Sequence, residues 1–468
     1  MKVLLIVHDR NLGKNFFPLG IAYLAAYLRK IGYVVDVYCQ DVYHYTEKEL
    51  YDYLRDNHFD IVGLGFLAAY FHKALKIAQV INSLPDRPFF VLGGHGPSPI
   101  PEYMLQKTQA DAIVIGEGEL AFVDLLEALS KERPLSGVLG LSFWQDGKVV
   151  VNERHETVKN LDDLPFPAWD LFPIEHYIAS TWPPAGGTDR WMALSASRGC
   201  PYRCNFCYRM TPGYRMRSVK NVIDEMRMLI DRYRINFFDF YDETWASSKA
   251  RVLEFCEAIL DLKSQISFGN EIKFGCNGRF NVLDKQLLST MKEAGCRFIN
   301  LGLESADQTV LDTMNKKITT EQIIEVARLC KEMGISAGLN VLWGNIGDTR
   351  ESLKRTLDVL MEYQTYFQCR TFRPPTPYPG SDLYYYALKN GLLKDEDDFF
   401  HKHTAYDRMT VNFTSIPDDE FYQLMYEANE ITVNAFFDAQ ADNLLKGLRD
   451  LYFGDDYSVR LLSYQQEH

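Results

Sequence analysis

Three cysteines stand within eight residues of one another, as Cys200, Cys204 and Cys207 in the stretch Ser197–Tyr208. Thiolates are soft ligands, and iron–sulfur clusters are held by cysteines at such close spacings. Because this C-x3-C-x2-C stretch has only three cysteines, a four-iron cluster would keep one iron without a protein ligand, and that iron could chelate a substrate. Three unrelated thiols and a zinc site are the alternatives, but zinc needs a fourth ligand, and residues 191–215 offer no histidine and no further cysteine.

The composition is that of a globular protein with several domains and large cores. The chain has 468 residues, 47% hydrophobic and 24% charged, which at ~150 residues per domain indicates two to four domains. Its nine cysteines are odd in number and scattered, which does not indicate a disulfide scaffold. No stretch approaches the ~18 apolar residues of a membrane span. The opening apolar run is too short for a signal peptide, so we expect a cytoplasmic protein.

The net charge of −13 is unevenly distributed along the chain. Residues 1–152 carry 14 basic and 17 acidic residues, whereas residues 381–468 carry 7 and 17, and the middle of the chain is neutral. Nucleic-acid binders usually show a basic patch, so this balance argues against a nucleic-acid partner. The acidic end favours a neutral or cationic ligand over an anionic one, although a solvated acidic surface explains it equally well.

Residues 1–152 alternate short apolar runs with helical periodicity. The expected strands are Val3–His8, Val34–Tyr38, Ile61–Phe66, Phe89–Leu92 and Ala112–Ile115, and the expected helices include Leu19–Lys30, His72–Ser83 and Ala121–Ser130. Apolar strands separated by helices favour an α/β fold with a Rossmann-like open parallel sheet. Glycines follow the fourth and fifth strands, at the carboxyl ends where such sheets bind ligands. An Asp146-Gly147 turn predicts a closing hairpin.

The cysteine stretch follows the first strand of a second α/β unit, residues 191–380, after a proline-rich linker over residues 153–190. The expected strands are Met192–Ala196, Phe237–Tyr241, Ile272–Cys276, Phe298–Leu303, Ala337–Leu342 and Cys369–Phe372, with helices such as Val219–Tyr233, Ala250–Leu262, Lys285–Ala294, Glu321–Met333 and Glu351–Tyr363 between them. Six such repeats predict a partial (β/α)6 TIM-type barrel, whose chemistry lies at the strand carboxyl ends. Residues 381–468 are expected to form an acidic, mainly helical cap.

The cysteine stretch resembles the signature of the radical S-adenosylmethionine (SAM) superfamily, which also places an aromatic residue, here Phe206, before the last cysteine. The resemblance covers roughly residues 190–380. It implies that Cys200, Cys204 and Cys207 hold a [4Fe-4S] cluster whose open iron binds the amino and carboxylate groups of SAM. One electron then cleaves SAM to a 5'-deoxyadenosyl radical, and the protein directs that radical to one C–H bond.

Further matches to the superfamily lie at later strand ends and imply a SAM site. Tyr241, Asp242 and Glu243 form the loop expected at the SAM amino group. Arg279 and Glu304 resemble positions that contact the SAM carboxylate and polar groups, and a guanidinium suits a carboxylate. The alternative for each of these residues is an ordinary ion pair within the domain.

The first unit resembles the cobalamin (B12)-binding domain of class B radical SAM enzymes, the group of the anaerobic magnesium-protoporphyrin cyclase and many C-methyltransferases. Three segments carry the resemblance and are the expected corrin contacts: Pro18, Leu19 and Gly20; Gly93, Gly94 and His95; and Gly116 and Glu117. The Asp-x-His-x-x-Gly motif of cobalt-ligating domains is not met, because Ile6 replaces its aspartate; His8 is either a lower cobalt ligand or an ordinary strand-end histidine.

These features predict a radical SAM enzyme that modifies an unactivated carbon of a small metabolite with the help of cobalamin, most often by methylation. The alternative is a cobalamin-independent dehydratase, epimerase or cyclase that uses its first domain as a scaffold. A corrin- or SAM-responsive binding protein is the non-enzyme alternative. The enzyme would need an electron donor such as flavodoxin or ferredoxin.

Overall fold

Two α/β units follow one another along the chain. The computed structural model describes residues 1–10, 15–180, 189–211, 213–365, 368–405 and 407–453. Among these residues, no helix is both long and apolar enough to cross a membrane.

The first unit is built on a seven-stranded sheet in the order β2-β1-β3-β4-β5-β6-β7. Its strands are β1 (Lys2–Val7), β2 (Val34–Cys39), β3 (Ile61–Gly65), β4 (Phe89–Gly93), β5 (Ala112–Val114), β6 (Leu141–Gln145) and β7 (Lys148–Val151). The first five strands are parallel, and β6 and β7 form the antiparallel hairpin expected at Asp146-Gly147. The Rossmann-like prediction is confirmed, because five apolar runs alternate with helices that cover both faces of the sheet.

Helices pack on both faces of this sheet. They are α1 (Leu19–Lys30), α2 (Gln40–Tyr43), α3 (Glu47–Asn57), α4 (Phe71–Asn82), α5 (Pro101–Thr108) and α6 (Gly118–Ser130). Because the order 2-1-3-4-5 reverses between β1 and β3, the crevice beyond the carboxyl ends of these strands is where ligands of such sheets bind. The segments Pro18–Gly20, Gly93–His95 and Gly116–Glu117 follow β1, β4 and β5 at this edge.

The second unit contains a five-stranded parallel sheet in the order β14-β13-β12-β11-β8. A short helix, α7 (Ile174–Ala179), precedes it. The sheet strands are β8 (Trp191–Leu194), β11 (Phe237–Phe240), β12 (Lys273–Gly278), β13 (Cys296–Glu304) and β14 (Ser336–Val341), and a two-stranded hairpin, β9 (Ser197–Gly199) and β10 (Tyr214–Met216), frames the cysteine stretch. The helices are α8 (Val219–Tyr233), α9 (Lys249–Ser264), α10 (Lys285–Ala294), α11 (Gln308–Thr313), α12 (Thr320–Met333) and α13 (Arg350–Tyr363).

The five parallel strands, called the barrel sheet below, form an open sheet, and the structure differs from the predicted (β/α)6 barrel at the sixth strand. The expected run Cys369–Phe372 forms no strand, and a single parallel bridge joins Leu342 to Arg373 instead. Pro374 and Pro375 follow directly, and because proline has no N–H to donate, the ladder cannot extend further. The short hairpin of β9 and β10 was not expected from the sequence.

Residues beyond the barrel form the expected helical extension: α14 (Asp382–Lys389), α15 (Glu396–Lys402) and α16 (Asp418–Phe453). One apolar core joins the two units. In it, Phe17 of the first unit stacks on Trp169 of the linker at 4.4 Å between ring centroids and meets Tyr177 edge-on at 5.3 Å. Aromatic rings packed in this way stabilise the association of the units and hold the first sheet against the barrel.

Candidate functional site

The cysteine stretch is a loop between β9 and β10, and contacts from two other parts of the chain hold it. The backbone N–H of Asn205 donates to the Met314 carbonyl at 2.9 Å, and the N–H of Leu383 donates to the Asn205 carbonyl at 2.9 Å. The side chain of Asn205 also donates to the Thr313 carbonyl at 3.1 Å. The loop is therefore anchored to the end of α11 and the start of α14 by a residue that lies between two of the cysteines.

The cysteine loop lies beyond the carboxyl ends of β11 and β12. Cys200 Sγ lies 3.3 Å from Thr244 Oγ1, and Cys204 Sγ lies 4.0 Å from Arg279 Nη1. Cys207 is accessible to solvent, but desolvation by the surrounding protein, followed by the charge of Cys204, raises the pKa of its thiol to about 12. Loss of the Cys207 proton at neutral pH therefore needs a cationic partner, as metal binding provides.

No three His, Cys, Asp or Glu side chains among the described residues converge closely enough to hold a single metal ion. This is unlike a zinc site, where all ligands meet at one atom. It is compatible with an iron–sulfur cluster, because each thiolate there binds a different iron. The donor set, three thiols and no other nearby ligand, fits a four-iron cluster with one open iron.

Arg279 is a buried cation without a counter-ion. It is 7% exposed, and its Nε and Nη2 atoms have no hydrogen-bond partner among the described residues. Its guanidinium lies 3.6 Å above the centre of the Tyr202 ring, inside the cysteine loop. An unpaired buried charge is costly, and a guanidinium is well matched to a carboxylate. The residue therefore fits the carboxylate of a SAM molecule bound beside the cluster.

Glu304 is not free, because it pairs with Lys316. Lys316 Nζ lies 2.6 Å from Glu304 Oε1, both side chains are buried, and Lys316 Nζ also lies 5.8 Å from the centre of the Phe206 ring. The pair sits against the cysteine loop and adds its charges to those around Cys207. A polar contact of Glu304 with SAM would have to share the carboxylate with Lys316.

The loop after β11 is hydrogen-bonded to the start of the hairpin that frames the cysteine stretch. The buried carboxylate of Asp242 accepts hydrogen bonds from the Ala196 N–H at 3.1 Å and from the Ser197 hydroxyl, and burial raises its pKa to about 6. The Tyr241 ring lies 5.9 Å from that of Phe16, whereas Glu243 is exposed. Of these three expected SAM contacts, Asp242 thus braces the strand that leads to Cys200.

The expected corrin residues line the edge of the first sheet that faces the barrel. Gly94 has φ +88°, and a Cβ there would lie 3.3 Å from the Phe66 carbonyl, so the tight turn requires glycine. Gly116 also has a positive φ, and Pro18 immediately precedes α1. Leu19 packs against the cluster of Trp191, Ala193 and Phe237 in the barrel.

His95 connects this edge to the cysteine loop. Its ring meets that of Tyr208, the residue after Cys207, edge-on at 6.2 Å. Gly380 closes the same junction, because a Cβ there would collide with both Tyr208 and Pro99. The expected corrin site and the expected cluster site are thus neighbours.

His8 lies at the end of β1 and is buried. Its Nδ1 has no hydrogen-bond partner among the described residues, and its ring lies 5.0 Å from that of Tyr70. Burial lowers its pKa to about 4, with the charge of Arg10 adding to the effect, so the imidazole is neutral at pH 7. Its role as a cobalt ligand stays a prediction.

Glu117 crosses the boundary between the units. Its carboxylate accepts from Arg198 at 3.2 Å and also pairs with Arg215. The neighbouring carboxylate of Glu119 accepts from Arg198 at 2.7 Å. Arg198 lies on β9, two residues before Cys200, so Glu117 and Glu119 tie the first sheet to the strand that carries the cluster loop.

Hydrogen-bonded side chains cross the inner face of the barrel sheet. Asn277 donates to the Asp242 carbonyl at 2.7 Å, Asn300 donates to Asn277 at 3.0 Å, and Asn340 donates to Asn300 at 3.0 Å. Arg370 donates to Asn340 Oδ1 at 2.6 Å and continues the ladder.

Sequence reasoning missed several residues that the fold brings to the site. Asn205 lies within the cysteine stretch, and Thr244 directly follows the loop Tyr241–Glu243, so the motifs could have indicated both residues. Lys316 and Arg370 come from segments without a motif, and no local signal points to them.

Comparisons with known proteins agree with this arrangement. Residues 194–360 match the Radical SAM superfamily, and residues 7–126 match the B12 binding domain. An uncharacterized methyltransferase of Pyrococcus horikoshii is 31% identical, over 84% of this chain and 84% of its own length. The anaerobic magnesium-protoporphyrin IX monomethyl ester cyclase of Rubrivivax gelatinosus is 30% identical over 79% of this chain, which spans 66% of the cyclase.

A solved structure has the same fold. The radical SAM methyltransferase TsrM from Kitasatospora setae, with cobalamin and a [4Fe-4S] cluster bound, superposes with a TM-score of 0.69, covering 83% of this chain and 75% of its own at 20% identity. Together with the methyltransferase relative and the two matched domains, the arrangement identifies an enzyme whose cofactors are a [4Fe-4S] cluster, SAM and cobalamin. The chain belongs to the radical SAM superfamily, among the members that carry an N-terminal B12-binding domain.

Proposed function

We propose that this protein transfers a methyl group to an unactivated carbon of a small molecule, with SAM bound beside Cys204 and cobalamin bound at the edge of the first sheet. The observation that carries the proposal is the position of Arg279, a buried guanidinium beside Cys204 and above Tyr202 whose Nε and Nη2 atoms have no hydrogen-bond partner among the described residues. When bound, the cluster supplies the electron that cleaves SAM, and cobalamin supplies a carrier for the methyl group.

The residues of the chain divide the work between binding and positioning. Cys200, Cys204 and Cys207 hold the cluster, and Arg279 binds the SAM carboxylate. The loop Tyr241–Glu243 lies toward the SAM amino group, with Asp242 bracing the strand before Cys200. Glu304 orients SAM while it shares its charge with Lys316.

The corrin is proposed to lie against Pro18–Gly20, Gly93–His95 and Gly116. The contact of His95 with Tyr208 supports this placement, because Tyr208 directly follows Cys207 and the two ring centroids are 6.2 Å apart. Glu117 is proposed to act at the boundary and not on the corrin, since two arginines occupy its carboxylate.

The proposed division of the chain follows from these roles. Residues 1–152 form the cobalamin domain, 153–190 the linker, 191–380 the radical SAM barrel and 381–468 the cap. Reduction requires a one-electron donor, for which flavodoxin or ferredoxin is suited. All nine cysteines are unpaired, which suits a reducing compartment, and we place the protein in the cytoplasm.

The test is anaerobic reconstitution of the full chain with iron, sulfide and hydroxocobalamin, followed by reduction in the presence of SAM and a metabolite extract. We expect bound cobalt, formation of 5'-deoxyadenosine and a product heavier by one methyl group. Bound cobalt without any methylated product, together with 5'-deoxyadenosine and a rearranged or dehydrated product, would contradict methyl transfer while leaving SAM cleavage intact.

A further inference from the structure

The guanidinium of the half-buried Arg370 also has no carboxylate partner among the described residues. Its Nη1 donates to Asn340 Oδ1 at 2.6 Å, and its Nη2 donates to Gln368 Oε1. Both acceptors are neutral side-chain amides, which hydrogen-bond the cation but do not neutralise its positive charge. In the part of the chain that the structure describes, no carboxylate lies within 4.0 Å of it. Burial lowers the pKa of Arg370 to about 10, so it is still charged at neutral pH.

Arg370 faces the interior of the barrel and not the helices outside. The residues of β12 to β14 that pack on the helical layer are those such as Cys276, Ile299 and Leu339, which belong to the main apolar core. Successive side chains of a strand point to opposite faces, so Asn300 and Asn340 face inward. A Cβ at Gly338 would collide with Arg370 Nη2 and with the Phe298 ring, which places the guanidinium on that inner face.

The glycine at position 338 makes room for this cation. The Arg370 guanidinium lies 5.9 Å from the centre of the Phe298 ring, on the side of the sheet that Gly338 leaves open. Asp239 lies on the other side of Phe298, where a Cβ at Gly275 would be 2.9 Å from its carboxylate and 3.5 Å from the ring. The ring therefore separates the acidic group of β11 from Arg370.

A cation in such a place is costly unless an anion comes to it. Arg370 is half-buried and its hydrogen-bond acceptors are amides, so it loses part of its hydration without gaining an opposite charge. Arg373, three residues further along the chain, has its charge compensated, because it is half-exposed and pairs with Asp407 at 2.8 Å. Arg279 likewise has guanidinium nitrogens without a partner among the described residues, and the proposed function uses it for SAM.

We propose that Arg370, on the Asn277–Asn300–Asn340 ladder, binds an oxyanion of the substrate, a carboxylate or a phosphate-type group, at the β14 side of the barrel. This inference rests on the proposed function, because it assumes that the enzyme has a small-molecule substrate. It adds that this substrate carries an oxyanion. It opposes the expectation of a neutral or cationic ligand, which was drawn from the acidic charge of residues 381–468. A guanidinium forms two parallel hydrogen bonds with such an anion, so Arg370 also orients it.

The test measures binding of two probes, inorganic phosphate and acetate, to the purified full chain at constant ionic strength, by calorimetry and by the shift in melting temperature. Arg370→Gln is compared with wild type and with Arg373→Gln, a matched control on the same segment. Arg279→Gln is measured in parallel, because an anion could also occupy the SAM carboxylate site. Arg370→Lys keeps the positive charge but cannot form the two parallel hydrogen bonds of a guanidinium. It still tests the site if the glutamine variant fails to fold.

We expect Arg370→Gln to weaken binding of at least one probe by tenfold or more, Arg370→Lys to weaken it less, and Arg373→Gln to leave it unchanged. The probe that is lost distinguishes a carboxylate site from a phosphate site. Equal binding by Arg370→Gln and Arg373→Gln, loss of binding in Arg279→Gln alone, or no saturable binding by wild type would overturn the inference. Formation of 5'-deoxyadenosine by the reconstituted wild type is scored separately, so the failure of the proposed function is distinguished from that of the anion site.

Discussion

Arg198, on the strand before Cys200, donates a hydrogen bond at 2.7 Å to Glu119 in the first turn of α6, across the boundary between the two units. The Arg198 guanidinium also lies over the ring of Tyr23, a residue of helix α1, at 5.2 Å from the ring centre. The strand that leads into the cluster loop is thus held by two elements of the cobalamin unit.

Glu119→Gln is expected to destabilise the protein by about 1.5 kcal/mol, because Arg198 loses one charge-assisted hydrogen bond in a buried place and keeps Glu117 as its remaining carboxylate partner. Burial alone raises the pKa of Glu119, but the charge and hydrogen bond of Arg198 outweigh it and the pKa is lowered overall. The stabilisation is therefore present above the unfolded pKa of about 4.3 and is lost as the pH falls through the lower folded value.

Urea unfolding at pH 7 measures the effect of Glu119→Gln. The control is Glu127→Gln, which removes an exposed pair with Lys131 and is expected to cost less than about 1 kcal/mol. Equal midpoints for the two variants would show that the contact across the boundary adds no stability.

His8 predicts a loss of stability in mild acid. Because burial lowers its folded pKa to about 4, the folded state binds fewer protons than the unfolded state between the two pKa values. The stabilisation is complete above the unfolded pKa of about 6.5 and falls with the pH, by about 2 kcal/mol between pH 7 and pH 5.

The measurement is the free energy of unfolding of His8→Gln and wild type at pH 7 and pH 5. The variant is expected to show a smaller decrease, whereas His58→Gln, at an exposed position, is expected to follow wild type. A decrease in His8→Gln as large as in wild type would place the titrating group elsewhere.

Arg279→Gln separates binding from stability. We expect SAM affinity to fall by about tenfold or more, because a charge-assisted pair worth roughly 1.5 kcal/mol or more is lost. Stability is expected to be unchanged or raised, because the substitution removes an unpaired buried charge. Equilibrium dialysis with SAM and thermal unfolding check both, with the exposed Arg297→Gln as the control. A variant that loses stability but keeps SAM affinity would assign Arg279 a purely structural role.

Cys204→Ala tests whether the two cofactor sites are separate. It is expected to lose the cluster's visible absorbance and all SAM cleavage while still binding hydroxocobalamin, because the expected corrin contacts lie on another sheet. Iron, cobalt and 5'-deoxyadenosine are measured after reconstitution, beside the exposed Cys369→Ser. Loss of iron and cobalt together would show that the sites do not form independently.

Local signals explain what the sequence could predict of this fold. Helix α10 was predicted with its bounds because Asp284 caps its first turn and Gly295, with φ +108°, ends it. The cysteine spacing likewise located the cluster loop without any knowledge of the fold.

Contacts between distant segments explain what could not be predicted. Glu117 was expected to touch the corrin, but its partners Arg198 and Arg215 are about eighty and a hundred residues away. Arg370 could be recognised as a candidate binding residue only from the structure, where it lies beside Gly338 and Asn340. A charge that has no neighbour of opposite sign can be recognised only in three dimensions.

The central claim is that the three cysteines leave one iron open for SAM, and EPR spectroscopy of the reconstituted, reduced protein tests it most directly. We predict about four iron atoms per chain and a reduced-cluster signal whose g values shift when SAM is added, with no shift in Arg279→Gln at SAM concentrations that saturate wild type. A signal that SAM leaves unchanged in wild type, or a single zinc ion in place of the iron, would contradict the account.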